Sequence, residues 1–189
     1  MKNLLTIAFI FLITCMNKER SDNHNKSMYM ENNIEVAYDD WKQSVLKAIE
    51  NSSFREYQKG NLKTTIAEIK KDDFEKLQKQ SSSLLEVPIK DKYFTFYSVE
   101  GETLISSFSC LNIAENKYAK ASLKLEHGNL NMEASLYEKT LDVSNIEPEP
   151  IGSQLEYRGI LILSKIDKGK LISKIGYAPP QADKYLSLD

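Results

Sequence analysis

Cysteine, histidine, proline and glycine are all scarce in this chain of 189 residues, with two Cys, two His, five Pro and seven Gly. Two cysteines exclude a disulfide-rich scaffold, and two histidines argue against a His-based metal site. Charge of one sign is also lacking. The 25 basic and 27 acidic residues leave a formal net charge of −2, without the basic surplus of a polyanion binder, so no nucleic-acid partner is expected. There is no Gly-x-Gly-x-x-Gly, Gly-x-x-x-x-Gly-Lys-Ser/Thr, Gly-x-Ser-x-Gly, Cys-x-x-Cys or His-Glu-x-x-His motif. No cofactor and no metal are therefore expected. Low complexity is absent too, and 41% hydrophobic with 28% charged residues is the balance of an ordinary globular chain rather than a disordered one.

One long apolar run is present, Leu4 to Ile13, and it follows the short basic start Met1-Lys2-Asn3. It has about half the roughly 20 residues needed to span a bilayer as a helix. A charged start and a short apolar stretch read as a secretory signal peptide over residues 1–14. No Ala-x-Ala-like cleavage site lies between Ile13 and Ser27. Leu12-Ile13-Thr14-Cys15 stands there instead, and it resembles the lipobox of bacterial lipoprotein precursors, although Thr14 occupies a position usually held by Gly, Ala or Ser. The resemblance covers only the start of the chain and says nothing of the mature body. It implies that Cys15 receives a diacylglyceryl group on sulfur and becomes the new N-terminus. The membrane is then a partner through that lipid, and the location is the bacterial cell envelope. No Asp follows Cys15 to signal inner-membrane retention, which points to the outer membrane, facing the periplasm or the surface. Each buried methylene contributes about 0.8 kcal/mol, so two or three acyl chains anchor firmly where one binds marginally. Lipidation of Cys15 leaves Cys110 as the sole thiol.

Residues 15–30 read as the lipidated cysteine and a flexible tether. Met16 to Lys26 is polar and aperiodic, and His24 lies in it as a solvated residue. Such a segment spans about 20 Å on average.

The remainder, 31–189, reads as a single α+β domain. Ile34, Ala37, Tyr38, Trp41, Val45, Ala48 and Ile49 recur at helical spacing, predicting an amphipathic helix over about Asn33–Asn51 with Trp41 in the core and Asp39 and Asp40 on a solvated edge. Leu62 to Ile69, with its paired Thr64 and Thr65, predicts a strand, and a second short helix follows from Lys71 or Asp72 to Ser81-Ser82-Ser83. One continuous helix over 61–80 is the alternative. From Lys92 the period changes to two. Strands are expected at 93–99, 103–113, 118–126, 130–137, 155–166 and 170–177, the fifth of them central because it is apolar on both faces. Turns fall at Glu100-Gly101, His127-Gly128-Asn129 and Asp167-Lys168-Gly169, and an extended tail ends the chain. The fold expected is helices on a mainly antiparallel meander sheet of about five to seven strands.

No residue type in this body points to catalysis. His127 falls in a turn, Cys110 on a strand with nothing nearby to lower its pKa, and the serine run has no base beside it in sequence. Glu147-Pro148-Glu149-Pro150 reads as a stiff solvated loop. Tyr93, Tyr97, Tyr118, Tyr137, Tyr157 and Tyr177 lie on or beside strands, where they serve sheet packing or a recognition face. The leading expectation is a membrane-anchored, non-catalytic binding or interaction module, one variant of which neutralises a single partner. The alternatives are a carrier of a lipid or other apolar ligand and a carboxylate-dependent envelope hydrolase. A flat face of exposed tyrosines would mark the first, a deep apolar cavity the second and a cleft of converging carboxylates the third. The leader makes the sharpest prediction. The full chain expressed in a Gram-negative host incorporates labelled fatty acid and partitions into detergent, and Cys15→Ser abolishes both.

Overall fold

The computed structural model describes residues 34–85, 89, 91–112, 117–126, 129–138, 141, 143, 146–152, 159–180, 182 and 186. Residues 1–14, expected as a signal peptide, residues 15–30, expected as a lipidated Cys15 and a tether with His24, and His127 and Tyr157 lie outside the described residues.

Trp41, Val45 and Ile49 are four residues apart, so they share one face of helix α1 (Tyr38–Glu50), and all three are buried. Asp39 and Asp40 are exposed in its first turn, where carboxylates meet the positive end of the helix dipole. The helix starts later than Asn33 because Val36 is used otherwise. Its N–H donates to Gln78 Oε1 at 3.1 Å and its carbonyl accepts from Gln78 Nε2 at 2.9 Å, pairing the chain as an extended segment.

The strand expected over Leu62–Ile69 is instead part of helix α2 (Glu56–Glu68). Thr64 and Thr65 do not break it, because each hydroxyl donates to the carbonyl one turn back, to Gly60 and Asn61, at 3.0 Å. Leu62 and Ile66 are buried on its inner face, so tertiary packing overrides β propensity here. The continuous helix over 61–80 is not formed either. Ile69 is extended with ψ 119°, and helix α3 runs from Lys71 to Ser83. The Tyr38 hydroxyl donates to the Ile69 carbonyl at 2.6 Å and so satisfies backbone freed at the break.

Six strands follow: β1 (Asp91–Val99), β2 (Glu102–Asn112), β3 (Lys117–Glu126), β4 (Asn129–Tyr137), β5 (Ile160–Asp167) and β6 (Lys170–Tyr177). Their spatial order is β4-β3-β2-β1-β5-β6, and every neighbouring pair is antiparallel. The result is an α+β fold with a meander sheet. Glu100-Gly101 and Lys168-Gly169 have positive φ at both positions, which makes tight two-residue hairpins. The strand expected as central, β5, is interior but lies second from an edge, and β1 and β2 hold the middle. Gly159 precedes it at φ +130°, and a Cβ there would stand 2.6 Å from the Tyr97 ring.

The two sheet faces are covered differently. Phe94, Phe96, Ile105, Ala121, Leu123, Ile160 and Ile162 form one core cluster with Val36, Trp41, Val45, Ile49, Leu62, Ile66, Phe74 and Leu77. Within it Trp41 stacks on Phe74 with centroids 4.7 Å apart, and Phe74 stacks on Phe94 at 5.0 Å. On the opposite face Tyr93, Tyr97, Phe108, Cys110, Tyr118, Leu161 and Leu163 cluster with Leu141, Ile146, Ala178, Ala182 and Leu186. The end of the chain is therefore not an extended tail throughout. Ala182 N–H donates to the Pro179 carbonyl at 2.9 Å and Leu186 N–H to the Ala182 carbonyl at 2.8 Å, and both side chains are buried. Apolar burial against the sheet holds these turns in place.

Two substitutions separate packing from polarity in this core. Phe74→Ala is expected to cost about 3–5 kcal/mol in urea unfolding, because the ring fills the space between Trp41 and Phe94. Thr95→Val is expected to be neutral or stabilising, because Thr95 Oγ1 is buried with no hydrogen-bond partner.

Candidate functional site

Helix α2 buries one side and leaves the other facing a groove. Tyr57, Asn61, Thr65 and Glu68 recur along the open side. Across from them stand Ser98, Glu100, Gly101 and Thr103 at the β1–β2 hairpin, and Leu62, Leu125 and Ile160 supply apolar surface. The groove has a volume of about 730 Å³. Glu68 and Glu100 are its charged lining residues, and no Lys or Arg lines it among the described residues. Tyr57 stands at one end, 63% exposed. Such a side chain offers a flat apolar ring and a hydroxyl at low entropic cost, which suits recognition. Sequence periodicity does not reveal this site, because the β-branched residues from Leu62 to Ile69 favour a strand, and Tyr57, Asn61, Thr65 and Glu68 share a side only in a helix.

A second polar constellation lies under the C-terminal end of α3. Ser81 Oγ is 2.9 Å from Ser107 Oγ and 2.8 Å from Ser109 Oγ, joining the helix to β2. Lys92 is 1% exposed, and its ammonium donates to Ser82 Oγ at 2.8 Å and to the Gln78 carbonyl at 3.3 Å. The structure thus places a lysine beside the serine run that no sequence spacing had placed there. Burial pulls the Lys92 pKa down to about 8, against the opposing pull of Glu35. The Ser82 hydroxyl itself donates to the Gln78 carbonyl at 2.8 Å. A helix C-terminus presents carbonyls, which oppose an oxyanion, so this geometry suits holding a buried cation and tying α3 to the sheet.

The other candidate residues take structural places. Cys110 is buried on β2, and burial, with Asp91, pushes its thiol up to about 12, away from a reactive thiolate. Tyr93, Tyr97 and Tyr118 are buried and Tyr137 and Tyr177 half-buried, so of the two roles expected of the strand tyrosines these residues take sheet packing rather than a recognition face. Tyr118 and Tyr137 stack on one another at 4.8 Å. Glu147 does not lie free on a solvated loop. Burial raises its pKa, but hydrogen bonds from Lys174 at 2.9 Å and Lys165 at 3.1 Å outweigh that and hold the carboxyl below its usual range. Glu149 exchanges two backbone hydrogen bonds with Tyr177, at 2.8 and 3.1 Å. Lys120 lies 5.8 Å from the Phe108 ring centroid, and burial brings its pKa to about 8 despite Glu133. Among the described residues no group of three or more His, Cys, Asp or Glu side chains is placed to hold a metal ion, and no helix is long and apolar enough to cross a membrane.

Comparison with protein-family models, with curated proteins and with solved structures finds no match to this chain.

The buried lysine gives the protein a pH signature. Lys92 titrates at about 8 in the folded chain against an ordinary 10.5, so between these values the unfolded chain holds a proton that the folded chain has lost. The contribution of Lys92 to stability then rises with pH through that window. Cys110 and Tyr93, both pushed up to about 12, act oppositely as their ordinary values of 9.0 and 10.0 are passed. The comparison with Lys92→Met isolates the lysine. The stability of the native chain relative to Lys92→Met is expected to increase from pH 8 to 10.5 by up to about 3 kcal/mol, read by denaturant unfolding at each pH.

Proposed function

We propose that this protein is a membrane-anchored envelope lipoprotein that acts as a non-catalytic binding module and takes its ligand in the groove along α2. The observation that carries the reading is Tyr57, 63% exposed over a groove of about 730 Å³ that mixes hydrogen-bonding side chains with an apolar floor. Clefts with a few placed polar groups and apolar walls are the usual form of a binding site. The layer of helices laid on a meander sheet supports the reading by giving the groove one rigid wall of helix and one of sheet. The lipid on Cys15 would hold the body at the membrane, and the tether would let the groove face a partner. The absence of Lys and Arg from the described lining favours a neutral or cationic ligand over an anionic one.

The test uses whatever phenotype a deletion strain shows, with folding followed in parallel. Tyr57→Ala and Thr65→Lys are expected to lose function by tenfold or more, the range expected for losing an interface anchor, with the unfolding midpoint unchanged. Cys110→Ala is expected to retain function with some loss of stability. Full function in a folded Tyr57→Ala protein would sink the groove, and loss of function in a folded Cys110→Ala protein would return the question to catalysis.

A further inference from the structure

The sheet has two edges, and they are treated differently. On β6 the residues Lys170 and Lys174 are exposed, Ser173 bonds Ser44 of α1 at 2.8 Å, and Glu149 pairs with Tyr177 at the strand's end. Lysines and crossing chain are the devices that stop an edge from pairing. On β4 none of them is found among the described residues. The strand is nine residues long, pairs with β3 without a bulge, and contains no Lys, Arg, Pro or Gly. Asn131, Glu133, Ala134, Ser135 and Leu136 are all exposed, Leu136 at 41%, and none of them carries a backbone bond to any described residue outside the ladder with β3.

We infer that β4 is the interface through which two copies of this chain associate, by antiparallel pairing about a two-fold axis at Ala134. The register follows from charge and from the pleat. The axis at Ala134 sets Met132 opposite Leu136 of the second copy on the helix-covered face. On the other face it sets Glu133 opposite Ser135 and Asn131 opposite Tyr137. Apolar meets apolar, polar meets polar, and the single carboxylate meets a hydroxyl. Centring on Glu133 would bring two carboxylates face to face, which is destabilising. Centring on Ser135 would leave both Leu130 and Met132 facing beyond the partner's strand, where centring on Ala134 leaves only Leu130, and centring on Met132 would leave the exposed Leu136 outside the pairing. An axis between residues would set each face against the wrong one. Because β6 is guarded, pairing through β4 stops at two copies rather than growing into a fibre. One strand pair covers less than the roughly 1,600 Å² of a standard interface, so the association is weak and concentration-dependent.

Cysteine cross-linking in the full chain tests the register directly. With Cys15→Ser in place, the remaining native thiol, Cys110, is buried. Facing residues in an antiparallel pair have Cα atoms about 4.5–5.5 Å apart, inside the range a disulfide accepts. Under mild oxidant Ala134→Cys is expected to form a covalent dimer, at least tenfold faster than Asp39→Cys on the exposed start of α1. Glu133→Cys and Ser135→Cys are expected to cross-link as a mixture and poorly alone. Sedimentation of the chain without added cysteines gives an independent readout, with reversible dimer growth that Leu136→Lys removes. Cross-linking of Ala134→Cys no faster than the Asp39→Cys control, a pattern centred on another residue, or a monomer at every concentration would each overturn the inference.

Discussion

The ring of Phe74 lies between Trp41 and Phe94, and much of the helical layer depends on that column. It joins α1 to α3 and both to the middle of the sheet in one stack. Tyr38, 5.8 Å from Phe74, uses its hydroxyl to hold the Ile69 carbonyl at the break between α2 and α3. The direction of α2, and with it the groove behind α2, is thus set from a point outside the groove. Sequence distance is no guide to this coupling. Phe74 is linked to the break before α3 through Tyr38.

The two faces of the sheet solve burial in different ways. The helical layer is apolar at its centre and polar at its margins, where Ser81, Ser107, Ser109, Gln78 and Lys92 close one hydrogen-bonded network and Ser44, Ser164 and Ser173 another. The other face is covered by the turns around Leu141, Ile146, Ala178, Ala182 and Leu186, with Glu147 pinned by two lysines at the rim. Irregular chain brings its own backbone groups to the sheet, and these must be satisfied locally. Rigid elements line the groove along α2, whereas the opposite face is sealed by segments held through side-chain burial and single ion pairs.

Much of the sheet was legible because period-two alternation and turn chemistry agree. Alternation from Tyr118 to Glu126, Glu100-Gly101 and Lys168-Gly169 all point to one pairing scheme. The helices were harder. Thr64 and Thr65 bias a local reading toward strand, and what overrides them is the burial of Leu62 and Ile66 against a sheet still to come in sequence. The strand tyrosines could be assigned to sheets but not to faces, since burial of Tyr93 and Tyr97 depends on where residues 141–186 return. The groove was illegible for the same reason. It exists only where α2 meets the β1–β2 hairpin, and Tyr57 is an ordinary residue until that meeting is known. Lys92 beside Ser82 is equally a product of register.

The position of β1 has a kinetic consequence. It is central, yet its second neighbour, β5, arrives much later in the chain, with Ser98 pairing to Ile160. The hairpins β1–β2, β2–β3 and β3–β4 can close as they emerge, but one flank of β1 stays open until β5 and β6 exist. Phe94 and Phe96 face the helices in this interval while Tyr97 waits for Leu161. Pairings so distant in sequence must first meet the entropy of a long loop, which slows folding. A ribosome stalled before Ile160, or a chain clipped there, would present the middle strand of the protein as an open edge. The final hairpin therefore acts as the last checkpoint of assembly, and the chain remains vulnerable to proteases and to mispairing until it docks.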